Sequence, residues 1–323
     1  MRYKLAILGA AVLMLMLAAV ATLREKIQEA DRADTTRVHQ HMVARQPEAG
    51  CDCDGSGFCT HLPLVVIDTK GQDIPGYPAV TRDAAGQEIR KRDIYDQSYY
   101  TMAWDGRVII DVEVSVIDNK NRNNHPLDEP DFVTKSEMRV RGNSSRNFEK
   151  TPYLLNFLKE DGTNRDIKVM GMESHHQWAL HGPYLDKSLV RNYLWYNLSG
   201  AVMEYAPNVR YCELILNGEY QGLYLMTETI TNGGNTSRLR LRDTLKDTEI
   251  TGYLLRLDRP TEADLGSLRD VYSYSERLLL TQVDVSLRYP STYRLTPELA
   301  WDIELDFSAF EKSLYSLDYD TKD

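Results

Sequence analysis

The sequence lacks an excess of basic residues. It has 38 Lys and Arg against 48 Asp and Glu, which gives a formal net charge of −10. Proteins that bind nucleic acid or an anionic membrane surface depend on basic patches, so we exclude nucleic acid as the main partner. Phenylalanine is also scarce, with 6 Phe beside 20 Tyr. Tyrosine suits half-buried, amphipathic surfaces, and the composition is therefore compatible with binding grooves.

Long apolar runs are rare, and the clearest one spans residues 5–23, with basic residues on both sides. A membrane-spanning helix needs about 20 apolar residues, whereas a cleavable signal uses about 7–15. Against this, Ala19–Ala21 has the small-x-small pattern of a signal peptidase site. Residues 1–26 are thus a signal anchor or signal peptide. The charge bias predicts a single-pass cell-membrane protein with an extracytoplasmic C-terminal domain, or alternatively a secreted protein.

Cysteine is rare too, but three of the four cysteines, Cys51, Cys53 and Cys59, lie close together at the end of a polar stalk or spacer, residues 27–61. Three sulfurs and the imidazole of His61 are the ligand set of a structural zinc, although the C-x-C start is tighter than the usual spacing. A disulfide and unpaired thiols are the other interpretations. Cys212 stands alone in an apolar strand, as a small core residue does.

Period-two alternation of apolar and polar residues follows, most clearly in residues 109–117, and is typical of half-buried strands. We predict a small antiparallel β module over residues 62–134. Further along, residues 138–141 and 153–158 predict two strands joined by a loop that begins at Gly142. A helix is predicted over 184–203, with Asp186 near its start.

The C-terminal part shows sharper signals. Residues 210–230 predict a hairpin that turns at Asn217-Gly218, the dipeptide that best tolerates positive φ. Strands are predicted over 252–258 and 283–290. Thr296 as N-cap and Pro297 as first helical residue predict a final helix.

The loop between the strands predicted over 138–141 and 153–158 contains Gly142, Asn143, Ser144 and Ser145. Its backbone N–H groups and hydroxyls are suited to surround phosphates, as kinase glycine-rich loops do. It is not a Walker loop, because no Gly-Lys-Ser/Thr follows. A polar hairpin tip is the alternative interpretation.

Taken in order, RVRGNSSR (139–146), Lys150, WALHGPYLDKSLVRNYLWYNL (178–198) and ELILNGEYQGLYLMTE (213–228) resemble the spore coat protein H (CotH) kinase family. The resemblance runs from about residue 59 to 323. It implies a remote protein-kinase-like domain over 135–323, and therefore an α+β fold class: an N-terminal membrane helix, the β module, and a CotH-like domain without its C-terminal part. It also implies ATP and Mg²⁺ as cofactors and a Ser/Thr-rich coat or surface protein as partner.

The resemblance also implies site residues. Nucleotide-binding residues are expected to be Arg141, Gly142, Asn143, Ser144, Ser145, Lys150 and Glu228, with Lys150 as a positive charge on the phosphates. Arg141 and Arg191 are candidates for pairing with phosphate or with an acid such as Asp186 or Glu213. The histidines 175, 176 and 181 have a spacing that suggests metal, but we favour structural roles for them.

Two departures from the family pattern matter. Asn156 stands where many relatives carry a basic residue. In the family, a catalytic aspartate and a Trp-Asp-Phe-like motif follow the last helix, and neither occurs in this sequence. We therefore expect no phosphoryl transfer from these 323 residues alone and assign no catalytic residue. The function is an extracytoplasmic CotH-type Ser/Thr kinase or its N-terminal portion. A non-catalytic surface, spore-coat or adhesin-like binding protein is the alternative.

Overall fold

The computed structural model describes residues 39–43, 51, 53, 57–82, 84–90, 100–142, 144–203, 205–230, 239, 241, 252–258, 269–270, 284–290 and 295–316. The strands are β1 (Leu64–Asp68), β2 (Val80–Arg82), β3 (Glu88–Arg90), β4 (Ile110–Ile117), β5 (Phe132–Val140), β6 (Tyr153–Leu158), β7 (Gln177–His181), β8 (Val209–Leu216), β9 (Glu219–Glu228), β10 (Leu254–Asp258), β11 (Arg269–Asp270) and β12 (Asp284–Tyr289). The helices are α1 (Gln40–Val43), α2 (Arg191–Val202) and α3 (Pro297–Leu314), and a 3₁₀ turn covers Ser144–Asn147.

Seven strands form one closed barrel in the order β1-β4-β5-β6-β7-β9-β8. Every neighbouring pair is antiparallel except β1 and β8, which run parallel and close the sheet. In β4 the valines at 112, 114 and 116 are buried while Asp111 and Glu113 are exposed. One face of the sheet is thus apolar and turns inward, where it surrounds Phe157, Trp178 and Tyr224.

The expected kinase-like α+β fold class is wrong: the main body of the described residues is this closed barrel, with few helices. The physical reason is that the sheet buries its apolar face by curving onto itself instead of packing helices on it. The residues on either side of position 134, where the sequence suggested a boundary, belong to the same strand, β5.

The predicted membrane helix, residues 5–23, lies outside the described residues. Among the residues that the structure does describe, none of the helices combines the length and apolar character needed to cross a bilayer.

Several local predictions are confirmed. β8 and β9 form the expected hairpin, with positive φ at Asn217 (52°) and Gly218 (81°). Thr296 caps α3 by accepting the N–H of Leu299 at 3.3 Å. In the second sheet, β10-β12-β11, the residues Val285 and Leu287 share a small core with Ile303 of α3.

The helix predicted over 184–203 begins later, because α2 starts at Arg191. The residues before it form a turn around Asp186, whose carboxylate accepts from the N–H groups of Ser188 (3.0 Å) and Arg191 (2.8 Å). These bonds satisfy a backbone donor at the helix start and lower the pKa of Asp186, with the Ser188 hydroxyl as the main cause. Asp186 and Arg191 thus have a structural role at this terminus.

Candidate functional site

The loop between β5 and β6 is held in shape by Gly142 and Arg146. Gly142 has φ +106°, and a Cβ there would lie 2.0 Å from Ser145 Oγ, so only glycine fits. Arg146 Nε donates to the carbonyl of Gly142 at 2.6 Å, and its Nη1 donates to that of Gly76 at 3.1 Å. The guanidinium lies 4.0 Å from the ring centroid of Tyr100, and burial lowers its pKa. Ser144 and Ser145 lie in the 3₁₀ turn, and Asn143 is outside the described residues.

Lys150 lies in a bend before β6, not on the strand itself, and its side chain reaches across to β9. Its Nζ donates to the carbonyl of Gln221 at 3.0 Å and lies 4.6 Å from the ring centroid of Tyr224. Tyr224 in turn donates to the carbonyl of Thr151 at 3.0 Å. The amine is therefore positioned from two sides at the rim of the barrel.

Two glycines make room for this lysine. A Cβ on Gly222, which has φ +88°, would lie 2.8 Å from Lys150 Nζ. A Cβ on Gly182 would lie 2.5 Å from the Lys150 carbonyl oxygen and 2.8 Å from its Cγ. Sequence reasoning did not single out either glycine, although both lie in the segments 178–198 and 213–228 that carry the family resemblance. Their positions show that the path of Lys150 is built into the fold.

The Lys150 ammonium is partly desolvated. Burial lowers its pKa, and the nearby Glu213 carboxylate opposes that effect. Glu213 is itself engaged, since it accepts a 2.7 Å bond from the Tyr220 hydroxyl. A buried cation is costly unless an anion compensates it. This position is therefore favourable for an anionic ligand group.

Further positive charge lies at the same end of β5. Burial lowers the pKa of Arg139, and Arg141 adds to the effect. The pKa of His181 is likewise lowered, by burial first and by Arg141 second. Arg139 and Arg141 thus add positive charge at the end of β5 that leads into the loop with Lys150, on a chain whose net charge is −10, whereas the lowered pKa keeps His181 neutral at neutral pH. The phosphates of ATP fit Lys150 and these arginines in charge.

Glu228 is held elsewhere. Its carboxylate accepts two 3.0 Å bonds from Asn208, one from the backbone N–H and one from the side-chain amide. Along β9, a rise of about 3.3 Å per residue places it about 20 Å from Gly222. Glu228 is 6% exposed. The structure thus does not bring Glu228 to Lys150, and its contact with nucleotide stays a prediction.

The histidines 175, 176 and 181, whose spacing in the sequence suggests a metal site, have separate partners in the structure. His175 Nδ1 accepts the N–H of Gln177 at 2.8 Å, and the His175 carbonyl accepts from Trp178 Nε1 at 3.0 Å. His176 pairs with Asp166 at 2.8 Å. His181 lies in β7 near Arg141.

The lowered pKa values of His175 and His181 predict acid sensitivity. Burial is the main cause for both, relative to an ordinary value of 6.5. Below about pH 6.5 these two histidines bind protons in the unfolded chain but stay neutral in the folded chain. The free energy of unfolding therefore falls as pH falls. We expect His181→Gln to flatten this pH dependence in urea melts between pH 7 and 5. The same change at the exposed His61 is the control; an equal flattening there would contradict the assignment.

The residues that the structure describes hold no group of three or more carboxylates that converge as ligands for Mg²⁺. Within those residues, the one group of three or more convergent His, Cys, Asp or Glu side chains consists of Cys51, Cys53, Cys59 and His125. Mg²⁺ prefers oxygen ligands, so this group does not suit it.

Comparison with known families agrees with the sequence resemblance. Residues 138–292 match a family model described as CotH kinase protein. The matched region begins at the end of β5 and contains the 3₁₀ turn, Lys150 and both glycines that accommodate it. No curated protein matches the chain.

Proposed function

Since the chain belongs to the CotH kinase protein family through residues 138–292, we propose that it is an atypical protein kinase, or part of one, that acts outside the cytoplasm. Its phosphate donor is ATP with Mg²⁺, and its acceptors are Ser and Thr residues of coat or surface proteins. Residues 5–23 attach it to the membrane in this proposal, because they are uncharged and flanked by basic residues.

The observation that carries the proposal is the placement of Lys150. A partly desolvated ammonium is directed to the barrel rim by the Gln221 carbonyl and the Tyr224 ring, in space left by Gly182 and Gly222. A lysine held in this way serves as a fixed positive charge for phosphate oxygens. An ordinary surface lysine needs no such space.

The other basic groups have supporting roles. Arg141, at the end of β5, adds a second positive charge that phosphate oxygens can accept bonds from. Arg146 keeps the loop closed by its bonds to the carbonyls of Gly142 and Gly76, so that Ser144 and Ser145 stay in the 3₁₀ turn. ATP, when bound, supplies the transferable phosphoryl group. The chain's own residues bind and orient it and neutralise its charge.

The test uses the purified full chain with labelled ATP, Mg²⁺ and a Ser-rich acceptor protein, beside an ATP-binding titration on the same sample. Because no transfer is expected from these 323 residues alone, ATP binding that weakens in Lys150→Met supports the nucleotide site of the kinase proposal. Transfer to Ser or Thr that is lost in Lys150→Met would place the catalytic carboxylates within the chain. ATP binding together with no Lys150-dependent labelling of proteins in intact or opened cells would favour the alternative, a binding protein without catalysis. Absence of ATP binding would overturn the nucleotide site.

Location is tested by supplying the labelled ATP outside intact cells, where it does not cross the membrane. Labelling of surface proteins that depends on Lys150 is expected. Labelling that appears only after the cells are opened would contradict the extracytoplasmic placement.

A further inference from the structure

A group of four metal-binding side chains lies away from the Lys150 site. Potential ligand atoms of Cys51, Cys53, Cys59 and His125 all lie within 4.8 Å of one another. None of the three cysteines takes part in a disulfide. His61, the histidine adjacent in sequence, is exposed and does not belong to the group. His125 comes instead from the loop between β4 and β5.

A pair of backbone hydrogen bonds positions the two segments. Thr60 donates to the Asn124 carbonyl at 3.1 Å, and Asn124 donates to the Thr60 carbonyl at 2.7 Å. The Asn124 side chain is fully buried; it donates to the Leu62 carbonyl at 2.8 Å and accepts from the Asn119 N–H at 2.7 Å. Cys59 directly precedes Thr60, and His125 directly follows Asn124. Their proximity therefore follows from ordered backbone, not from the reach of long side chains.

The imidazole of His125 is oriented by Asp128. Asp128 Oδ2 lies 3.3 Å from His125 Nδ1 and accepts the His125 backbone N–H at 3.0 Å. Asp128 is itself held by the Asn119 side-chain amide at 2.7 Å. The other ring nitrogen, Nε2, lies 3.2 Å from Cys51 Sγ. A carboxylate behind a histidine whose far nitrogen faces thiols is the arrangement that supports zinc-binding histidines.

One of the three sulfur atoms, that of Cys59, also accepts a hydrogen bond from the surrounding protein. The Asn123 side-chain amide, on a residue that is 7% exposed, donates to Cys59 Sγ at 3.2 Å. Such a donor stabilises a thiolate in preference to a neutral thiol. Thiolate is the form of cysteine that binds metal.

We propose that Cys51, Cys53, Cys59 and His125 bind one zinc ion in a closed structural Cys₃His site. Tetrahedral zinc with Zn–S bonds of about 2.3 Å needs ligands about 3.8 Å apart, and the observed spread requires only small adjustments to reach that. Sulfur and imidazole donors favour zinc over magnesium or calcium. A disulfide would use two of the cysteines and leave the third thiol, His125 and its Asp128 support without a role.

The zinc ion would fasten the segment before β1 to the β4–β5 loop. This loop precedes β5 and the β5–β6 loop that contains Lys150 follows it, so the two loops lie at opposite ends of that strand. The inference is thus independent of the proposed kinase function. Loss of ATP binding in Lys150→Met tests one site, and loss of zinc in His125→Asn tests the other.

The experiment measures metal binding to the full chain, purified under reducing conditions and stripped with a chelator. One equivalent of zinc per chain is expected, and cobalt(II) in its place should give the absorption of a tetrahedral thiolate site. His125→Asn should abolish stoichiometric binding and change this spectrum. The matched controls His61→Asn and Cys212→Ala should keep both. Asp128→Asn should lower the affinity 10- to 100-fold while the thiolate–cobalt absorption remains.

A measurement on the unchanged protein covers the case in which a variant fails to fold. Zinc should protect Cys51, Cys53 and Cys59 from alkylation, whereas Cys212, buried in the barrel, should be protected with or without zinc. The proposal is overturned if two of the three cysteines form a disulfide in protein isolated without reductant, if zinc leaves their alkylation unchanged, or if His125→Asn binds cobalt as the unchanged chain does. Weak binding that neither His125→Asn nor Asp128→Asn alters would show an adventitious ion only.

Discussion

ATP binding is expected to weaken by about 1–3 kcal/mol when Lys150 is replaced by methionine, the range for a lost hydrogen bond to a charged group. Methionine keeps most of the side-chain volume between Gly182 and Gly222 but removes the ammonium. Titration of ATP into both proteins measures the change. Lys187→Met is a close control, because Lys187 also donates to a backbone carbonyl (Tyr184, 2.9 Å) and lies 4.5 Å from a tyrosine ring centroid, but is exposed.

Gly222→Ala provides an independent form of the same test, since it changes the position of the Lys150 amine without replacing the lysine. The added Cβ would lie 2.8 Å from Lys150 Nζ and displace the amine, so ATP affinity should fall. Gly218→Ala is matched in backbone strain, with φ +81° against +88°, but its Cβ meets nothing within 4 Å. Both variants lose stability from the positive φ, and only Gly222→Ala should lose affinity. Equal affinities in the two variants, or unchanged affinity in Lys150→Met, would show that Lys150 is not a nucleotide ligand.

Glu228→Ala is expected to reduce the free energy of unfolding by roughly 2–6 kcal/mol, because it leaves two buried donors of Asn208 without an acceptor and each costs about 1–3 kcal/mol. The two bonds are 3.0 Å long, and Asn208 and Glu228 are 4% and 6% exposed. They fix the chain entering β8 to the end of β9. Urea denaturation measures the loss.

A double-mutant cycle with Asn208→Ala separates this contact from general effects of the substitutions. Residues that share a contact give a coupling energy of about 0.5–3 kcal/mol, whereas independent residues add. The backbone N–H of Asn208 remains in the cycle, so the coupling reports the side-chain amide alone. Additive losses, or a Glu228→Ala protein as stable as the unchanged one, would contradict the structural role. ATP titration of the same variant decides whether Glu228 also contacts nucleotide.

Local structure was largely predictable from the sequence because its causes are local. Alternation in β4 follows from a period of two in side-chain direction. The turn at Asn217-Gly218 follows from residues that tolerate positive φ, and the start of α3 from a hydroxyl and a proline. The loop that contains Gly142 and precedes Lys150 was found for the same reason. Helix α2 was placed too early, since apolar spacing did not reveal the turn that Asp186 stabilises.

The rest depends on contacts between residues far apart in the chain. Parallel pairing of β1 with β8 closes the barrel, and neither strand carries a local signal for its partner. The space for Lys150 comes from Gly222, the Cys group takes His125 in place of the adjacent His61, and Glu228 binds Asn208. The amino-acid sequence by itself determined which segments form strands, turns and caps, because those depend on a few neighbouring residues. Only the tertiary structure decided how the sheet closes and which polar groups meet, because a closed sheet places side chains together by strand register and not by distance along the chain.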